Sequence, residues 1–253
     1  MPPAEEAAAT AAVSPGEHTL EEETTTTSWP SLQIPLASSS NGNFIEVFPE
    51  ELPETPAATL LPILKDEQAS LDVWADVALG YIRSNSSTSA AAILQAGCDK
   101  KSSDNDNVDD NTKLVRLWAS AGICHLAQHW QSSSSNEKED DWIALADAKF
   151  THSSKLDNLY PMTWMGKGLL NVVLGRKEQA HFFLETTLKQ CGRILPALLG
   201  LAAVHALDHN YKAAQDLYGE AMRLDNVVAT SAASTRVGFG MASYQLGQVR
   251  KHE

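Results

Sequence analysis

The stretch CHLAQH places His125 and His129 four residues apart, on one face of a helix, where two imidazoles can share a metal ion. Zinc peptidase chemistry needs H-E-x-x-H, with the glutamate as general base. Leu126 stands in that place, so the pair carries no base and reads as two helix histidines in packing or solvent. DNDNVDD (104–110) imitates a calcium loop, but Asp109 replaces the glycine of the sixth place and Val115 the closing glutamate. Gly166-Lys167-Gly168 is not a phosphate loop: Pro161 occupies the first glycine position and no Ser or Thr follows the lysine. GFG (238–240) lacks a preceding strand and the third glycine of a dinucleotide fingerprint. Asn85-Ser86-Ser87 is a formal glycosylation sequon without a secretory leader to give it meaning. No Ser/His/Asp or Cys/His arrangement stands out. The expectation is a protein without catalytic residues, metal or cofactor.

Composition narrows the partners. The 253 residues carry a formal net charge of -13, which disfavours direct nucleic-acid or anionic-lipid binding. Cys98, Cys124 and Cys191 are far apart and form no CxxC pair, so neither a zinc knot nor a disulfide framework is indicated. A reducing compartment is expected. No apolar run approaches the roughly 20 residues of a membrane span.

The elements follow from periodicity. Residues 1–30 hold six Glu and no Lys or Arg, and residues 1–32 are expected to be a disordered acidic tail. Residues 33–56 alternate apolar and polar positions and should form short extended pieces around turns. From Ala57 to 253 the pattern is helical, interrupted by polar inserts at 99–112 and 131–140 that should be mobile loops.

A repeat organises the helices. With Ala214 set under Ala180, 34 residues earlier, Trp164 meets Leu198, Gly168 meets Ala202 and Leu184 meets Tyr218. LGRKEQA and DHNYKAA then occupy the same turn. This is the period of the tetratricopeptide repeat, two antiparallel helices per unit. The predicted fold class is all-α, a tetratricopeptide-repeat solenoid of helical hairpins. Small residues belong where the helices of a unit cross closely, here Ala202 and Ala214, with Ala221 facing the next unit. Trp74, Ala78 and Tyr81 take the corresponding places of an earlier unit, with Ala90 in its second helix. Residues 112–130 and 140–156 make a further pair. Trp74, Trp118, Trp142 and Trp164 are expected in the core. At 234–253 another unit starts: Gly240 takes its small position, Leu246-Gly247-Gln248 its turn, and His252 falls where the second helix needs Ala. The last repeat is therefore incomplete, and the chain reads as the front part of a longer solenoid or a truncated gene product.

Several stretches resemble one family. IPL (34–36), an acidic-apolar piece, then ELPETPAATLLPILKDEQASLDVWADVALGYI (51–82) resembles the start of a large tetratricopeptide scaffold. That scaffold is the Cln-three-requiring subunit of the RNA polymerase II-associated factor complex. PALLG (196–200) followed by the turn at 208–214, and VGFGMASYQLGQ (237–248), are similar to later repeats of the same family. The resemblance covers 34–98 and 160–251, and the middle agrees only in helical pattern. It implies a nuclear, non-enzymatic scaffold that assists transcription elongation and linked histone modification. Its partners would be the other subunits of the complex and, indirectly, RNA polymerase II.

Stacked hairpins create an extended groove lined by first-helix residues. For the two clearest units these are Met165, Leu169, Val172, Leu199, Ala203 and Ala206, all apolar, and they are the expected partner-binding positions. A competing reading is a chaperone adaptor that grips peptide termini. That needs Lys, Arg and Asn along the groove, where Leu199 and Ala203 stand instead.

Overall fold

The computed structural model describes residues 31–35, 44–48, 51–52, 55–100, 108–131, 138–225 and 232–252. The acidic tail up to residue 30 and most of both polar inserts lie outside the described residues. The architecture is a series of antiparallel α-hairpins, a tetratricopeptide solenoid, preceded by a small β-hairpin.

Strands β1 (Leu32–Pro35) and β2 (Phe44–Val47) pair antiparallel, with Leu32 opposite Val47 and Ile34 opposite Ile45. Period-2 alternation sends these four residues to one side, where Ile34 and Val47 are buried, while Gln33, Glu46, Pro35 and Phe44 stay exposed. The buried side joins the core of α1 (Ala57–Asp66), α2 (Leu71–Arg83) and α3 (Ser87–Lys100). Trp74 and Tyr81 are wholly buried there. Their polar ends are satisfied: Trp74 Nε1 donates to the Ala69 carbonyl at 3.2 Å, and the Tyr81 hydroxyl to that of Thr55 at 2.7 Å.

Helices α4 (Val108–Gln131) and α5 (Lys138–Leu156) form the central pair. They run further into the polar inserts than the loop boundaries read from sequence, since α3 ends at Lys100 and α4 begins at Val108. Phe150 of α5 is fully buried and explains two glycines: a Cβ on Gly122 would lie 2.6 Å from its ring, and one on Gly166 would overlap it. Ser153 and Thr163, both fully buried, share a 2.5 Å hydrogen bond that ties α5 to α6.

The 34-residue period is visible in the backbone. Helix α6 (Pro161–Val173) begins 34 residues before α8 (Leu195–Leu207), and α7 (Lys177–Cys191) begins 34 before α9 (Tyr211–Asp225). Prolines at the first or second position start α6 and α8, where no intrahelical N–H is lost. The turns inside the units also correspond, for Gly175 (φ 68°) and His209 (φ 57°) both take the left-handed conformation, as Asn85 (φ 59°) does between α2 and α3. Ala180, Ala202, Ala214 and Ala221 are all fully buried at the crossings, and a Cβ on Gly168 would meet Leu184 at 2.6 Å.

Two expectations are corrected. Helix α10 (Ala232–His252) runs straight through Leu246-Gly247-Gln248, so no turn forms there. The close approach in α10 is made by Gly238, whose Cβ would lie 2.6 Å from Tyr218, while Gly240 faces open space. Among the tryptophans, Trp74 is core, whereas Trp118, Trp142 and Trp164 are only half-buried.

Candidate partner-binding surface

The six expected groove residues do not share one surface. Met165 points inward and is 5% exposed, out of reach of a partner. Leu169 and Val172 pack against the cluster formed by Ala180, Leu184, Ala197, Leu201 and Val204. The reason is local: Gly200 leaves room between α6 and α8, and Leu169 fills it, 3.0 Å from where a Gly200 Cβ would stand. Leu199 is half-buried on α8. Only Ala203 and Ala206 come together on an open surface.

These two alanines line a cleft of about 390 Å³ between α8 and α10, floored by α9. Tyr211 and Tyr218 of α9 and Met241 of α10 complete its walls. The cleft exists because the facing positions are small. Ala203 and Ala206 stand opposite Gly238 and Ala242, so no side chain bridges the seam as Leu169 bridges the one before it. Sequence reasoning found Ala203 and Ala206 through the repeat register. It missed Met241, Val237 and Tyr244, which are 64%, 61% and 64% exposed. Their spacing of four and three along α10 was the available signal.

Polar contacts hold the cleft's frame. Lys177 Nζ caps α8 through the Leu207 carbonyl at 2.8 Å and Asp208 at 2.8 Å. Gln215 of α9 donates to Ser243 of α10 at 2.9 Å. His205 flanks the cleft on α8, and burial together with the neighbouring His181 holds its pKa below the usual value, so it is neutral at pH 7.

A second polar cluster lies inside the central pair. His125 is buried, its Nδ1 sharing a 2.8 Å hydrogen bond with Gln128 and its ring stacked on Trp142. Burial pushes its pKa down. Lys149, also buried, donates to Gln95 and sits over the Trp118 ring, 4.8 Å from its centroid. Burial raises the thiols of Cys98 and Cys124 to about 12, leaving them protonated and inert. Among the described residues no group of three or more His, Cys, Asp or Glu could hold a metal ion, and no helix is long and apolar enough to cross a membrane.

No protein-family model matches the chain. Two curated proteins do, and they bear out the resemblance carried by residues 34–98 and 160–251. The chain is 30% identical over 223 residues, 87% of its length, to Protein CTR9 homolog of Arabidopsis thaliana. It is 25% identical over 235 residues, again 87%, to RNA polymerase-associated protein CTR9 of Caenorhabditis elegans. It spans about a fifth of these relatives, 20% and 19% of their lengths. A thermophilic TPR protein of Thermus thermophilus aligns over 69% of this chain and all of its own, at 13% identity and a TM-score of 0.43.

Proposed function

We propose, proceeding from the likeness to the CTR9 proteins, that this chain is a non-catalytic scaffold of the RNA polymerase II-associated factor complex. It would work in the nucleus during transcription elongation and linked histone modification. The observation that carries this reading is the 30% identity that runs across 87% of the chain and includes both the β-hairpin and the repeats. The cleft between α8 and α10 is the place where a partner subunit inserts an apolar side chain. Its walls give such a group contact area without an order–disorder cost, because α8 and α9 are already packed.

Aspartate at Leu169 is not a clean test, since that side chain also holds α6 to α8. Ala206→Glu and Met241→Glu place a charge in the cleft while leaving the core alone. The tagged chain is expected to recover subunits of the polymerase-associated factor complex from nuclear extract, identified by mass spectrometry. Both variants should lose that recovery with unchanged circular dichroism. Recovery of heat-shock chaperones instead would favour the adaptor reading. Undiminished recovery by both variants would remove the cleft from the interface.

A further inference from the structure

We infer that the outer edge of β1, with the adjoining face of α2, is a strand-addition site for an extended, basic polypeptide segment. The sheet has two strands in the order β1–β2, so the other edge of β1 has no strand beside it among the described residues. Such an edge presents a row of backbone donors and acceptors. A groove of about 480 Å³ runs between that edge and α2. Leu32 and Gln33 form one bank, and Val73, Asp76 and Gly80 lie along the other. The lining positions of α2 recur at helical spacing from Val73 to Arg83, about 15 Å at 1.5 Å per residue. That length matches four or five extended residues at about 3.3 Å each, comparable to the four residues of β1.

The edge is held rigidly, as addition requires. Ile34 and Leu52 are wholly buried, and Leu52 fills the space beside Gly80. Pro35 has no N–H to donate, which ends the ladder there and limits sheet growth.

The chemistry selects one occupant. A helix has already used its backbone groups internally, and a small molecule cannot satisfy a row of them, so the ligand is an extended chain. Its side chains toward α2 must be apolar, to meet Val73 and Leu32. Asp76 is half-exposed, and its Arg116 neighbour stands off at 3.9 Å, so it takes a Lys or Arg of the incoming strand. The net charge of -13 draws cationic segments to it. The chain's own residues 1–30 have no Lys or Arg to supply.

The test is independent of which complex the chain joins. A phage library of random eight-residue peptides is panned on the full chain and counter-selected on Val73→Arg. Enriched peptides should alternate apolar residues and carry Lys or Arg. A synthetic copy of the best one should lose at least tenfold in affinity when alternate backbone nitrogens are methylated, and at least tenfold on Asp76→Lys. Amide shifts should map to 31–34 and 73–83. Failure to enrich, tolerance of N-methylation, or shifts elsewhere would overturn the site. So would a dimer seen by light scattering that Val73→Arg abolishes, because the occupant would then be a second copy.

Discussion

The two ends of the solenoid are built from the same hairpin and differ in what covers it. Around α2, the β-hairpin, α1, α3 and α4 close over Trp74 and Tyr81, so the first core is wrapped on all sides. Around α10 only α9 provides close packing, and Val237, Met241 and Tyr244 stay open to solvent. In a linear array each unit is stabilised by its neighbours, so the same residue type contributes differently by position. The first region is built for stability, the last for contact.

Mutations break this contrast most sharply at the large aromatics. Trp74→Ala removes a wholly buried indole and its hydrogen bond to Ala69, and should cost about 3–5 kcal/mol in urea unfolding. Tyr218→Ala, at a half-buried site against Gly238, should cost about 1 kcal/mol. Equal losses would mean that the two ends are equally covered. Next in size is Gly166→Ala, which drives a methyl into Phe150 and should cost about 1–3 kcal/mol. Adding Phe150→Leu should recover part of that loss, a coupling that only direct contact produces.

A smaller effect separates the interior from the cleft by pH. His125 is held below its usual pKa chiefly by burial, opposed by the Gln128 hydrogen bond and reinforced by Lys149. The unfolded chain takes up this proton near pH 6.5, the folded chain only at lower pH. Between those values the unfolded state binds more protons, so stability falls as pH drops below about 6.5. Urea midpoints at pH 7.5 and 5.5 should show that fall, and His125→Gln should flatten it. His205→Gln, at a more open site, should flatten it less.

What the sequence carried depended on whether a residue repeats. Gly168, Ala180, Ala202 and Ala214 were legible because the same crossing recurs every 34 residues, and small side chains are the only solution to it. Phe150 was not, since it fills a gap between α4, α5 and α6 that occurs once. The groove residues failed for a related reason: register says which face Leu169 is on, but only Gly200 decides that Leu169 is swallowed by that face. Trp164 held its repeat place, yet the neighbouring Phe182 and Phe183 share its pocket and leave it half-buried.

The finest comparison is between glycines. Gly175 sits in the turn of its unit at φ 68°, so Gly175→Ala forces a side chain into the left-handed region and should cost about 1–2 kcal/mol. Gly240 and Gly247 lie within α10, and a Cβ on either meets nothing within 4 Å. There alanine adds helix propensity without a clash, so each substitution should stabilise by about 0.5–1 kcal/mol. The repeat pattern alone demands the opposite, with Gly240 at a tight crossing and Gly247 in a turn, where alanine would destabilise. A rise in helical ellipticity at 222 nm and a higher unfolding midpoint for Gly240→Ala/Gly247→Ala would establish α10 as one continuous rod. A fall in either would restore the broken hairpin, and with it a different covering for Met241.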